Sequence, residues 1–263
     1  MIYFILLLFA ICLARVQYMV SKFNLMAPWS GYGAIQGVLD KSSDAPMVYR
    51  VLVPWILGRN YTLCKYNLVQ TILIWMMLIS LYLAWGLQII FLSMVFLMIT
   101  FWYDYWDWSI EVMALALALT IFPLALFGII ILGLSRETAP LVGLVYALHS
   151  GDWALGFILS VIGLWTLLIV RLIQGNHPLY CKRWMILNNI ELLKKGNISA
   201  WLSIFICLLG MLALLQASSR NGHLDILIVP VIAILGWTMA KGNETRVFAS
   251  IIPYAALFLK GLL

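Results

Sequence analysis

One stretch of the sequence limits the possible folds more than any other. Residues 66–103 form a run of 38 amino acids without Asp, Glu, Lys or Arg. A single helix of that length would measure about 57 Å, well beyond the ~30 Å hydrocarbon core of a bilayer. The run therefore predicts two membrane crossings, with a turn near Trp85-Gly86-Leu87-Gln88.

The composition of the whole chain agrees with a membrane protein. Hydrophobic residues make up 65% of the sequence and charged residues 10%, whereas a soluble domain is about half apolar and a quarter charged. This comparison excludes a soluble globular protein, a disordered chain and a nucleic-acid-binding module. We predict an all-α fold, a polytopic transmembrane helical bundle of about eight or nine membrane segments, with residues 1–263 as one integral membrane domain.

Further apolar segments predict the remaining helices. They comprise a retained first helix at 2–19, a segment at 109–134 that kinks or breaks at Pro123, a short helix at 140–148, a full span at 153–170, an amphipathic helix at 184–193, and segments at 198–217, 224–240 and 247–262. Residues 47–57 are apolar but too few to cross a bilayer, which predicts a re-entrant or interfacial helix.

The loop charges predict the orientation in the membrane. Residues 171–197 are the most basic part of the chain, so the positive-inside rule places this loop in the cytoplasm. Counting one crossing for each of three segments between residues 110 and 170, and two for 67–103, puts the 21–66 loop on the outer face. The N-terminus is then cytoplasmic, and two acidic clusters meet at the outer face.

The acidic residues of these clusters are candidates for chemistry. Asp104, Asp107 and Glu111 have i, i+3, i+7 spacing, which places three carboxylates on one helix face. They are either a solvated helix start or one wall of a cavity for a sugar or a metal, with Asp104 and Asp107 as the metal ligands. Asp40 and Asp44 lie in a polar loop, where a carboxylate could serve as a general base, bind a divalent cation or simply be solvated.

Basic residues inside apolar segments are the second group of candidates. Arg50 lies within Tyr49-Arg50-Val51, where a charge is costly unless it has a partner or reaches water. A guanidinium suits phosphate or carboxylate recognition. Arg136 and Glu137 either neutralise each other or act together on an anion, and Arg220 is a further candidate for phosphate binding.

Four sequence segments resemble one family when they are taken as an ordered set. They are PMVYRVLVPW (46–55), DWSIE (107–111), LSRETAPLVGL (134–144) and ETRVFASIIPY (244–254). The set resembles the GT-C-type membrane glycosyltransferases, especially small bacterial members. In that family an Asp usually follows the first helix, whereas the first acid here is Asp40.

The resemblance implies a transferase that works at the outer face of a bacterial inner membrane. It would use a polyprenyl-phosphate sugar as donor, with Asp40 or Asp44 as catalytic base and a divalent cation such as Mg²⁺ or Mn²⁺ as a possible cofactor. The substrate-binding residues would be Arg50, Asp104, Asp107, Glu111, Arg136, Glu137 and Arg220.

Two other functions remain open from the sequence. The chain could be a non-catalytic subunit whose apolar faces pack against lipids and partner membrane subunits. It could also be a small transporter for an anionic lipid or another anion. Walker A, GxSxG, HExxH and GxGxxG motifs are absent from the sequence, so ATP-driven transport, serine hydrolysis and zinc proteolysis have no support.

Overall fold

The computed structural model describes residues 1–23, 31–43, 49–86, 107–176, 185–198 and 201, and these residues form helices and no strands. The helices, in chain order, are α1 (Ile2–Phe23), α2 (Gly31–Leu39), α3 (Leu52–Leu57), α4 (Leu63–Trp85), α5 (Asp107–Ala118), α6 (Phe122–Gly133), α7 (Ala139–Ser150), α8 (Trp153–Gln174) and α9 (Met185–Lys194). The predicted all-α class is confirmed for the described part of the chain.

Three of these helices, α1, α4 and α8, are long and apolar enough to cross a membrane. Their apolar windows are Ile2–Met19, Leu63–Ala84 and Trp153–Gln174. The first helix, the first crossing of the charge-free run and the span after Trp153 were each predicted. The second crossing of that run and nearly all of residues 198–262 lie outside the described residues, so the number of membrane segments stays a prediction.

The ends of the long helices follow from local capping. The Thr62 hydroxyl accepts a hydrogen bond from the Lys65 amide at the start of α4, and Asp152 accepts one from the Leu155 amide at the start of α8. Helix α4 ends at Gly86, whose φ of 80° is a left-handed conformation that favours glycine. The helix end agrees with the position of the predicted turn, whose continuation after Gly86 lies outside the described residues.

Helix α5 is the centre of the described bundle. Nearly every side chain from Ser109 to Leu117 is less than 5% exposed, and α4, α6 and α7 all pack against this helix. A helix that is apolar on all sides is stable only when it is surrounded, and the small Ala114, Ala116 and Ala118 let its neighbours approach closely. The single acidic residue in this buried stretch, Glu111, is therefore placed in the interior.

Helices α5 and α6 form an antiparallel hairpin. Gly128 of α6 packs on Ala114 of α5, since a Cβ atom on Gly128 would lie 3.1 Å from the Ala114 Cα. Helix α6 has 12 residues and measures about 18 Å, too short to cross the ~30 Å core by itself. The predicted break at Pro123 is confirmed, because α6 starts afresh at Phe122. The number of crossings that residues 110–134 make stays a prediction.

The turn between α6 and α7, residues 134–138, lies level with the middle of α8. A Cβ atom on Gly133 would come within 2.8 Å of Thr166, and one on Gly163 would come within 3.1 Å of the Ala139 carbonyl carbon. Gly163 is the eleventh of the 22 residues of α8, so about 15 Å of helix extends in either direction. The turn 134–138 is therefore at mid-depth of this membrane span.

The end of α8 contacts the segment before α3. The Lys41 ammonium donates a hydrogen bond to the Ile173 carbonyl at 2.6 Å, and the Tyr49 hydroxyl donates one to the Gly175 carbonyl at 3.3 Å. The Arg171 guanidinium lies 5.4 Å from the centre of the Tyr49 ring. We call this group of residues, with the neighbouring Asp40, the Arg171 end.

The contacts at the Arg171 end bear on the predicted topology, which stays a prediction. Residues 21–66 and 171–197 were expected on opposite faces, but their described parts meet at one end of α8. The cause is the hairpin of α5 and α6, which adds one reversal of the chain that the count of crossings omitted. Which face is cytoplasmic stays a prediction.

Candidate functional site

A buried ion pair joins two of the predicted site residues. The Arg136 guanidinium donates to the Glu111 carboxylate, and the Thr138 hydroxyl donates to the other carboxylate oxygen at 3.0 Å. The Glu111 side chain is 2% exposed and the Arg136 side chain 13%. Because α5 carries Glu111 and the turn 134–138 carries both partners, the pair connects the central helix to the start of α7.

The backbone of the turn explains why Arg136 points at Glu111. Helix α6 ends with the Ser135 and Arg136 amides both bonded to the Leu132 carbonyl, at 2.8 and 2.6 Å. Pro140 then occupies the first turn of α7, where a missing amide hydrogen costs nothing. The tight connection between the two helices holds Arg136 and Thr138 beside the first turn of α5.

Ser135, in the same turn, adds a second polar group. Its side chain is fully buried, and its hydroxyl has no hydrogen-bond partner in the part of the chain that the structure describes. A buried hydroxyl without a partner costs about 1–3 kcal/mol, so it is expected to meet a ligand or a water molecule. The turn 134–138 therefore presents a hydroxyl as well as a guanidinium.

Arg50 belongs to the same region. The Leu52 amide donates to the Leu134 carbonyl at 3.1 Å, which ties the segment before α3 to the turn 134–138. Arg50 is 7% exposed. The buried Arg50 is therefore two residues from a backbone hydrogen bond to the turn that carries Arg136.

Burial at mid-depth makes these charges expensive. A charged side chain at the centre of a membrane helix costs about 2.5–3.5 kcal/mol by insertion scales, and such residues usually mark a functional site. The Glu111 carboxylate and the Arg136 guanidinium offset part of this cost for each other. The burial of Glu111 excludes the solvated helix start considered from its sequence, and a cavity for a sugar or a metal stays a prediction.

The other described candidates lie apart from the pair. Glu137 is exposed and the partner of Arg136 is Glu111, so the mutual neutralisation considered for Arg136 and Glu137 is wrong. Asp107 begins α5, one turn before Glu111, and only its backbone is described. Asp44, Asp104 and Arg220 lie outside the described residues.

Asp40 lies nearer the surface than the ion pair. It is exposed, accepts a hydrogen bond from Gln36, and lies 3.6 Å from the exposed Arg59 guanidinium. Thr166, which contacts Gly133, and Ile173, which contacts Lys41, are seven residues apart on α8, or about 10 Å along the axis. No single reacting atom can contact both the ion pair and Asp40, although an extended sugar phosphate can bridge the distance between them.

The expected divalent cation is not supported by the described side chains. They include no group of three or more His, Cys, Asp or Glu residues that could hold a metal ion. Both Glu111 oxygens already accept hydrogen bonds. The two predicted ligands, Asp104 and Asp107, have no described side chain.

Sequence reasoning missed Thr138 and Ser135. Both belong to the segment LSRETAPLVGL, and Thr138 is two residues after an arginine in an apolar context. The available signal was the position of the Thr138 hydroxyl close to Arg136 in the sequence. The partner of this hydroxyl, Glu111 on α5, is 27 residues away in sequence. Only the hairpin reveals that contact.

No family model, no curated protein and no solved structure matches the chain. The functional argument therefore depends on the residues and their geometry.

Proposed function

We propose that the protein is a membrane transferase that takes a sugar from a polyprenyl-phosphate donor. The observation that carries the proposal is the buried cluster of Arg136, Glu111 and Thr138, beside which Arg50 is also buried. Arginine has five donors in a rigid fork that matches phosphate oxygens. The phosphate of the donor would meet Arg50 and Arg136, while Glu111 fixes the orientation of Arg136.

This arrangement would favour the charge that develops on the leaving phosphate. Donors that are already oriented in a site of low dielectric stabilise such charge without reorganising during the reaction. Thr138 and Arg136 together hold Glu111, so the cluster is positioned before a donor binds. The Ser135 hydroxyl supplies a further neutral donor in the same turn.

Asp40 and Asp44 are proposed as alternative bases for the acceptor. Asp40 is at the Arg171 end, about 10 Å along the α8 axis from the level of the ion pair. An acceptor hydroxyl arriving from water would meet Asp40 first, while the donor phosphate lies deeper. Replacing both Asp40 and Asp44 by alanine should abolish sugar transfer at normal protein levels, and undiminished transfer would exclude both as the base.

Arg50→Lys tests the proposed phosphate site with a small change. Lysine keeps the charge but loses the planar fork, and a charge-assisted hydrogen bond is worth about 1.5–3 kcal/mol. Sugar transfer is measured in proteoliposomes, with polyprenyl-phosphate-linked glucose, mannose or galactose as donor and a membrane extract as acceptor. We expect Arg50→Lys to lower this transfer about tenfold or more. The full chain is used throughout.

Arg59→Lys is the matched control for this experiment. Arg59 has a side chain 78% exposed and pairs with Asp40 at the surface, so its replacement should leave transfer within about twofold. Equal transfer by the wild type and by both variants would exclude Arg50 from the donor site. No transfer by the wild type from any of the three donors would contradict the proposed reaction with these sugars.

A second function, transport of an anion or an anionic lipid, is favoured by one observation. Helix α7 begins at Ala139, directly after Thr138 of the buried cluster, and the positive ends of broken helices are typical anion sites in transporters. Flux of a labelled polyprenyl phosphate across the proteoliposome membrane without sugar transfer would support this alternative over the transferase.

A further inference from the structure

A groove on the surface of the bundle lies between α3, α6 and α8. Its volume is about 480 Å³, and its walls include Trp55, Ile130, Trp165 and Ile169. Trp55 and Trp165 are 43% and 60% exposed, so the groove is open along the side of α8. Because the lining is almost wholly apolar, it suits a hydrocarbon chain rather than a water-soluble ligand.

The length of the groove matches one leaflet of a bilayer. It extends along α8 from Ile162, near the middle of the helix, to Ile173 in its last turn. These eleven steps measure about 16 Å, close to half of a ~30 Å hydrocarbon core. One acyl chain from the leaflet at the Arg171 end can therefore lie along the groove.

Basic side chains lie at the end of the groove that is nearest to Ile173. The exposed Lys41 ammonium binds the carbonyl of Ile173, a residue of the groove wall. The exposed Arg171 is in the same turn of α8. The nearby acid, Asp40, is paired with Arg59. Among the described side chains at this end, Lys41 and Arg171 therefore remain without an opposing carboxylate, and their charge is complementary to an anionic headgroup.

We propose that the groove holds an acyl chain of an anionic phospholipid, with the lipid phosphate against Lys41. The lipid is a component of the bilayer and is distinct from a polyprenyl donor, because the groove is on the outside of the bundle and the ion pair is buried within it. The lipid holds α3 against α6 and α8. Its binding does not depend on the proposed sugar transfer.

Native mass spectrometry of the full chain tests this proposal. The protein is released from nanodiscs of equal phosphatidylglycerol and phosphatidylcholine, and the lipid that stays bound is identified. We expect one phosphatidylglycerol per chain. Lys41→Gln should lower its retention about fivefold, since one lysine near a membrane surface contributes about that factor. Lys41→Arg should restore it.

Two further variants separate the headgroup from the chain. Arg59→Gln removes a positive charge from the same end but away from the groove, so retention should stay within about twofold. Ile169→Trp fills the groove and should lower the retention of both lipids.

Four results would overturn the proposal. They are equal retention of the two lipids, equal losses in Lys41→Gln and Arg59→Gln, a lipid-free dimer of the chain, and displacement of phosphatidylglycerol by added polyprenyl phosphate. The last result would assign the groove to the donor. The absence of sugar transfer would contradict only the proposed function.

Discussion

The ion pair of Glu111 and Arg136 shows how two charges are tolerated inside an apolar bundle. Each side chain neutralises the other, and Thr138 occupies the second carboxylate oxygen. A buried pair of this kind is rarely a net gain in stability over well-packed apolar residues. Its presence at mid-depth is better explained by a role in binding than by a role in folding.

Glu111→Gln should strongly destabilise the protein. The change leaves a buried guanidinium without a balancing charge, which costs about 3–5 kcal/mol. Unfolding by SDS in mixed micelles, followed by circular dichroism, measures the free energy of unfolding.

Glu137→Gln is the control for Glu111→Gln. It removes a carboxylate from the residue next to Arg136, but that carboxylate is exposed. We expect a change in unfolding free energy within about 0.5 kcal/mol. Equal effects of the two substitutions would mean that the pair does not form.

Tyr61, between α3 and α4, gives a prediction about pH. Burial of its hydroxyl, with smaller effects from Tyr32 and Asp40, raises the pKa of Tyr61 above its usual value. The folded protein therefore holds this proton more tightly than the unfolded chain. The resulting stabilisation is complete below about pH 10 and is lost as the pH rises through the folded-state pKa.

The difference in tyrosinate absorbance between the wild type and Tyr61→Phe isolates this group, because phenylalanine keeps the ring that packs 5.1 Å from Tyr32. We expect the midpoint of the difference signal to lie above pH 10, the ordinary tyrosine value. A midpoint at or below that value would contradict the burial of the hydroxyl.

At the scale of elements, close packing of small residues joins α7 to α8. Gly143 faces Gly156 and Ser160, while Gly163 faces Ala139. In a membrane, where apolar burial drives association weakly, such backbone contact supplies much of the attraction between helices. The position of the turn 134–138 beside α8 depends on this contact.

Gly143→Ala should weaken the contact between α7 and α8. A Cβ atom at this position would lie 2.5 Å from the Gly156 carbonyl oxygen, so the helices must separate. Overpacking of this kind costs about 1–3 kcal/mol in unfolding free energy. The same SDS titration measures the loss.

Leu144→Ala, one residue further on an exposed position, is the control for this substitution. We expect it to cost less than Gly143→Ala, although it deletes a larger group. A larger loss for Leu144→Ala would show that the glycine contact does not hold the helices together.

Helix positions were largely predictable from the sequence. The end of α4 at Gly86, the break at Pro123 and the short helix near Pro140 all follow from glycine, proline and the lengths of apolar runs. The direction of α6 relative to α5 was not predictable, because a break in an apolar run does not say whether the chain bends or reverses. That reversal also decides which charges meet, so Glu111 and Arg136 were found as candidates but not as partners.

At the scale of the whole molecule, the chain between Asp107 and Gly175 forms four helices, α5 to α8. Helices α5 and α6 form one hairpin, and α7 and α8 form another, so the chain returns to the Arg171 end. Helices α6 and α7 pack along one half of the length of α8. The other half holds α2 and α3, whose Val38 and adjoining Val51 pack with Val170.

Cysteine labelling tests this topology. In a variant without the native cysteines, single cysteines at Ser42 and Asn176, both exposed, should react with a membrane-impermeant maleimide from the same side. A cysteine at Gly151, at the opposite end of α8, should react from the other side. Labelling of positions 42 and 176 from opposite sides would restore the original crossing count and contradict the hairpin.

The central proposal is that the ion pair of Glu111 and Arg136 helps to bind the phosphate of a donor. The most direct test is the double substitution Glu111→Leu with Arg136→Met, which replaces both charges by apolar groups and is expected to leave stability nearly unchanged. Binding of polyprenyl phosphate to the purified full chain is then measured. The account predicts a folded protein, with an unfolding midpoint close to that of the wild type, whose affinity falls at least about tenfold. Wild-type affinity in the folded double variant would contradict it.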